Sequence, residues 1–274
     1  MDGVGEGRDA PRAGPQQPED GRHARTARAA RRRHELNGIV AVTAPRGGAQ
    51  RIPRPVAWRP GRPAPWAEVP AAARILALTD LERMLQARGP GRMRADNWRP
   101  NATTRQSAVL VPLYEADGEL HVVLTRRSSN LRSHTSEVSF PGGRSDEGES
   151  PLATALREAN EEIGLDHHLV RPIGELDLFV TVGGASLVHP VVAALPGRPD
   201  LVPAPDEVAH ILHVPVAELL ADGVFREEIW PIFDRERPIT FFELYGDTVW
   251  GATAAMLRQL LSLAVGLEDD GLAY

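Results

Sequence analysis

Three glutamates, Glu158, Glu161 and Glu162, fall within five residues in the stretch PGGRSDEGESPLATALREANEEIGL, Pro141 to Leu165. Ser150 and Pro151 suit the N-cap and first turn of a helix, and Gly164 suits its end. At about 100° per residue, such a helix gathers Leu152, Ala155, Leu156, Ala159 and Ile163 into one apolar stripe. The three glutamates form a sector beside that stripe. Their i, i+3 and i, i+4 spacings make them neighbours, so each exposed pair costs roughly a few tenths of a kcal/mol. Arg157 is the only cation in the segment 151–163. Two readings fit: a solvated acidic face, or a hard-oxygen ligand set that a divalent cation makes favourable. Gly142-Gly143 just upstream allow a tight turn, and a carbonyl there could join the ligand set. The chain has no cysteine. Thiolate sites and disulfides are therefore excluded, and any metal must be a carboxylate-, carbonyl-, imidazole- or water-bound ion such as Mg²⁺ or Mn²⁺.

The elements that must carry this helix can be read around it. PAAARILALTDLERMLQAR, Pro70 to Arg88, spaces Ile75, Leu76, Leu78, Leu81 and Leu85 as a helix does. SAVLVPLYEADGELHVVLTRR reads as two strands around a turn at Asp117-Gly118. IGELDLFVT, LVHPVVAAL, ILHVPV and TFFELYG are strand-like, VAELLADG is a short helix, and TVWGATAAMLRQLLSLAVG is an apolar closing helix. Irregular alternation of strands and helices predicts an α/β fold with a mixed sheet covered by helices. Residues 1–65 are rich in Arg, Pro and Gly and are expected to be a disordered tail. Within 1–60, twelve arginines face six acidic residues, whereas the whole chain carries a net charge of −6. Residues 70–100 are expected to form an N-terminal helix and linker, and 104–266 the main domain. No apolar run reaches membrane-spanning length and no signal-peptide core is present, so the expected compartment is the cytoplasm. The acidic balance outside the tail argues against a nucleic-acid partner.

The fixed spacing from Gly143 is five residues to Glu149, seven to Arg157-Glu158, two to Glu161-Glu162 and one to Gly164-Leu165. This resembles the Nudix box, with Ala159 small where a larger aliphatic is usual. The resemblance implies an α/β/α sandwich around a mixed sheet, with the box as loop, helix and loop. It also implies Mg²⁺ or Mn²⁺ held by Glu158, Glu161, Glu162 and the Gly142 carbonyl, and a Glu149–Arg157 brace that holds the Gly143 loop on the helix. Glu162 is one candidate base and metal-bound Glu161 a second catalytic carboxylate. Glu207, in PAPDEVAHILHVP, is a further candidate base, or else a plain surface charge.

Upstream, LTRRSSNLRSHTSEVSFPGG, Leu124 to Gly143, resembles the extra motif of the coenzyme A pyrophosphatase branch of that family, with Ser136 where the branch has Gly. The resemblance implies substrate contacts from Arg127, Ser128, Arg132 and His134, because Arg forks suit phosphate groups. The reaction implied is hydrolysis of coenzyme A or acyl-CoA to 3′,5′-ADP and 4′-phosphopantetheine or its acyl form. Alternatives are a hydrolase of ADP-ribose, NADH or (d)NTPs, and a non-catalytic nucleotide-sensing module. The expected partner is a small nucleotide substrate, with no membrane, and a homodimer is open.

Overall fold

The computed structural model describes residues 46–74, 76–93, 101, 103–129, 136–181, 186–232 and 235–268. The elements in order are β1 (Arg59–Pro60), α1 (Leu78–Arg88), β2 (Arg105–Ala116), β3 (Glu119–Arg127), β4 (Val138–Ser139) and β5 (Gly142–Arg144). Then come α2 (Pro151–Ile163), β6 (Arg171–Glu175), β7 (Phe179–Val180), β8 (Ser186–Ala194), β9 (Val208–Pro215) and α3 (Val216–Leu219). The last are β10 (Phe225–Ile232), β11 (Arg235–Glu243), β12 (Thr248–Trp250) and α4 (Gly251–Ala264).

Strands β2 to β9 form one eight-stranded sheet. β2 runs parallel to β8 and antiparallel to β3 and β5, so the sheet is mixed as expected. Asp117 and Gly118 both take positive φ and close the β2–β3 hairpin between Ala116 and Glu119. Alternate residues of β2 then serve two cores. Ala108, Leu110 and Tyr114 pack with Ala155, Ala159 and Ile163 of α2. Val111 and Leu113 pack on the other face with Leu81 and Leu85 of α1 and Leu257, Leu260 and Leu261 of α4. The result is a helix, sheet and helix sandwich.

Three expectations are corrected. Leu152, expected in the core stripe, is exposed; the buried residues of α2 are Thr154, Ala155, Ala159, Glu162 and Ile163. Leu152 sits in the first turn, at the open end of the helix, while Glu162, beside the apolar stripe, points inward. The first helix starts at Leu78, because residues 71–74 form a 3₁₀ turn. Arg74 holds that turn by donating to the carbonyls of Val69 and Leu220.

The third correction concerns the tail expected to reach residue 65. Its first 45 residues lie outside the described residues, but residues 46–66 pack along a second sheet of order β1-β10-β11-β12. Arg46 bridges Tyr245, Gln50 donates to Asp247 at 2.9 Å, Arg54 pairs with Glu228, and Trp66 is buried against Phe225 and Phe242. Strand β10 went unread because its Glu227 and Glu228 break an apolar alternation, yet both are buried. Arg62 and Arg258 lie beside Glu227, and Arg54 and Arg226 beside Glu228, which makes that burial tolerable.

Candidate active site

Helix α2 begins as its sequence requires. The Ser150 side chain accepts from the Ala153 amide at 3.2 Å, Pro151 opens the first turn, and Gly164 ends the helix in the left-handed conformation. The preceding strand β5 lies flat against β2 and the helix. Gly142 has φ +155, and a Cβ there would lie 2.4 Å from the Ala108 carbonyl oxygen. A Cβ on Gly143 would lie 2.4 Å from the carboxyl carbon of Glu158. Gly142 therefore demands glycine, and a side chain at Gly143 would displace the Glu158 carboxylate from the loop.

The three carboxylates occupy three environments. Glu162 has only 4% of its side chain exposed; it accepts from the Gly142 amide at 3.2 Å and sits 3.6 Å from Arg127. Burial raises its pKa to about 7, against the opposing pull of the Gly142 N–H and Arg127, with Glu158 and Glu207 raising it further. Glu158 is also raised, first by burial, while its contact with Arg157 lowers it and Glu161 and Glu207 raise it. Glu161 is 58% exposed and accepts from Arg157 at 3.1 Å.

Arg157 organises this end of the helix. It donates to Glu149 at 3.0 and 3.1 Å, to Glu158 at 3.0 Å and to the Arg144 carbonyl at 3.0 Å. Those bonds, first the one from Arg157, hold Glu149 at a pKa of about 2. Thr154 adds a bond to Glu149 at 2.8 Å, a hydroxyl contact the box spacing gave no reason to expect.

The loop carrying Glu207 is sewn to the same helix: Val202 and Ala204 donate to the carbonyls of Ile163 and Glu162. Glu207 is exposed, close enough to raise both Glu158 and Glu162, and its carbonyl accepts from Ser128 at 2.7 Å. The structure thus brings Glu158, Glu161, Glu162, Gly142, Gly143, Arg127, Ser128 and Glu207 to one end of the sheet. Arg132 and His134 lie outside the described residues.

Residues 104–235 match the family model described as NUDIX domain. The NudL Nudix hydrolase of Photorhabdus laumondii is 36% identical over 189 residues, covering 68% of this chain and 97% of that protein. NudL of Escherichia coli K12 is 37% identical over 169 residues, covering 60% and 84%. Nudix hydrolase 22, chloroplastic, of Arabidopsis thaliana is 38% identical over 161 residues, covering 56% of this chain and 53% of that protein.

This chain belongs to the Nudix hydrolase family. Nudix hydrolases act on nucleoside diphosphate derivatives and generally need a divalent cation such as Mg²⁺ or Mn²⁺. The donor set fits such an ion. Two carboxylates, Glu158 and Glu162, are buried enough to resist ionisation and both meet the Gly142-Gly143 loop, with the exposed Glu161 tied to Glu158 through Arg157, and a hard cation would offset the cost of their burial.

Two details around the Nudix centre could not be read from spacing. Arg127 faces Glu162, with its Nε buried and lacking a hydrogen-bond partner. Its neighbour Arg126 turns the other way, to Asp247 at 3.3 Å, in the turn between β11 and β12 of the second sheet. Alternation along β3 explains the opposite directions, but the partner of Arg126 lies 121 residues away. Ser136, in the stretch before the glycines, holds φ +60. A left-handed backbone there is one that glycine would adopt without strain.

Proposed function

We propose that this Nudix hydrolase cleaves the diphosphate of coenzyme A or acyl-CoA, giving 3′,5′-ADP and 4′-phosphopantetheine or its acyl form. The observation that carries the hydrolytic part is the meeting of Glu158 and Glu162 with the Gly142-Gly143 loop, with Glu161 joined to Glu158 through Arg157. The stretch from Leu124 to Gly143 supports the coenzyme A part. Glu158, Glu161 and Glu162, with the Gly142 carbonyl, would hold Mg²⁺ or Mn²⁺. Bound there, the ion would neutralise the diphosphate and make the attacking water more acidic. Arg157 and Glu149 keep the loop and helix in register, so Glu158 and Glu162 stay against the loop. Glu162 or the exposed Glu207 accepts the proton of the water. Arg127, beside Glu162, presents a guanidinium to the substrate phosphates, and Ser128 shapes the same loop through its bond to Glu207. Arg132 and His134 belong to the same proposed substrate-gripping stretch.

The test is a substrate panel of coenzyme A, acetyl-CoA, ADP-ribose, NADH and dNTPs, each with Mg²⁺ and with Mn²⁺. The expected result is the highest kcat/KM for coenzyme A or its thioester. A higher value for ADP-ribose, NADH or a dNTP would move the substrate class while keeping the hydrolase. Absence of turnover on every diphosphate would leave a nucleotide-sensing module.

A further inference from the structure

We propose that Thr154 is a positioning residue of the Nudix site, acting on the glutamates of α2 through the brace between Glu149 and Arg157. This rests on the reading that those glutamates hold the metal for hydrolysis, and it is independent of the coenzyme A assignment. Thr154 is the fourth residue of α2 and is fully buried. Its hydroxyl oxygen lies 2.8 Å from Glu149 Oε2, 2.9 Å from Ser145 Oγ and 3.2 Å from the Ser150 carbonyl oxygen.

A hydroxyl has one proton, so these three contacts cannot all be donations. Glu149, with a pKa of about 2, is a carboxylate at neutral pH and is both the strongest and the nearest acceptor. The proton therefore goes to Glu149, and the Thr154 oxygen accepts from the Ser145 hydroxyl. The Ser150 carbonyl is the partner that a threonine inside a helix ordinarily takes, and here it is the most distant of the three. Thr154 thus ties its helix to the loop in front of it.

The two residues it joins are the two ends of that loop. Ser145 directly follows β5, and its amide donates to the Gln106 carbonyl of β2 at 2.9 Å. Glu149 immediately precedes the N-cap Ser150, and its Oε2 also accepts from the Asp146 amide at 3.0 Å. Arg157 donates to both oxygens of Glu149, and the same guanidinium donates to Glu158, to Glu161 and to the Arg144 carbonyl. The place of Glu149 therefore sets the place of Arg157, which is the shared donor of Glu158 and Glu161. Without the Thr154 hydroxyl, Glu149 keeps its contacts with Arg157 and the Asp146 amide but loses its buried donor, and the brace is free to swing towards solvent.

The experiment titrates the full chain with Mn²⁺ for its dissociation constant, and separately measures kcat and KM on the best substrate of the panel. Valine keeps the branched shape of threonine and removes the hydroxyl. Thr154→Val should lower Mn²⁺ affinity and kcat each about ten- to a hundredfold and leave KM nearly unchanged. Thr154→Ser, which keeps the hydroxyl, should restore both. In an Arg157→Ala background the valine should add nothing to either loss, because the route through the brace is gone. A serine variant as impaired as the valine one, or valine losses undiminished without Arg157, would overturn the proposal and leave Thr154 with a packing role. Wild-type kcat and Mn²⁺ affinity in Thr154→Val would also overturn it, while the hydrolase stands. Weakened Mn²⁺ binding in Thr154→Val, restored by serine, in a chain that hydrolyses no diphosphate would keep Thr154 as a positioning residue of the metal site and remove the hydrolytic reading.

Discussion

Glu161 differs from its two neighbours in being mostly solvent-exposed, with Arg157 as its one hydrogen-bond donor among the described residues. Glu161→Gln keeps its shape and removes a charge that no core contact needs. It should fold normally by circular dichroism and lose at least on the order of a hundredfold in kcat, because a missing carboxylate weakens the ligand set. Near-normal turnover at saturating Mn²⁺ would remove Glu161 from that set. Glu149 allows a second test, in pH. Its pKa falls from 4.5 to about 2 on folding, first through the Arg157 bond. A carboxyl depressed in this way adds stability that is complete above about 4.5 and is lost as pH falls towards 2. In Arg157→Ala that contribution is absent, so the Tm gap to wild type should narrow as pH drops from 4.5 to 2. A gap constant over that range, read from thermal melts, would contradict the assignment.

At the scale of elements, α2 is held by small residues. Ala155 and Ala159 are fully buried against Ala108 and Leu110 of β2. Small contacts let the helix lie close to the sheet, and that closeness puts Glu158 against Gly143 and Glu162 against Gly142. Ala159→Leu should therefore push the helix outward. The expected cost is about 1–3 kcal/mol in urea melts, with kcat falling as the carboxylates leave the glycine loop. An unchanged midpoint with unchanged kcat would show that the interface yields without moving the site.

The whole molecule includes a second sheet whose edge is sealed by the segment 46–66. The composition of residues 1–43 carries little apolar periodicity, so their removal is expected to leave Tm nearly unchanged. Removal of 1–66 should lower it sharply, since it takes away Trp66, the Gln50–Asp247 bond and the Arg54–Glu228 pair. Trp66→Ala alone should cost about 3–5 kcal/mol. Equal melting of the two truncations would show that the segment contributes nothing to the fold. The same segment reaches the active-site strand indirectly, because Asp247 binds both Gln50 and Arg126.

The sequence by itself determined the box: its spacing, its helix caps, the two glycines and the hairpin at Asp117-Gly118. These depend on neighbours within about one or two turns of chain, where residue type dictates conformation. It also carried the mixed sheet, because apolar alternation and run length are local properties. Tertiary structure alone decided that α2 buries Glu162 and leaves Leu152 outside. Leu152 shares the arc of Ala159 and Ile163 but sits in the first turn of the helix, and Glu162 lies beside that arc, so only the packing of neighbouring elements decides which is covered. It also decided that Arg127 meets Glu162 while Arg126 meets Asp247, since strands pair across distances no spacing encodes. The second sheet was invisible for the same reason: buried Glu227 and Glu228 look like surface charge until the arginines of distant segments arrive beside them.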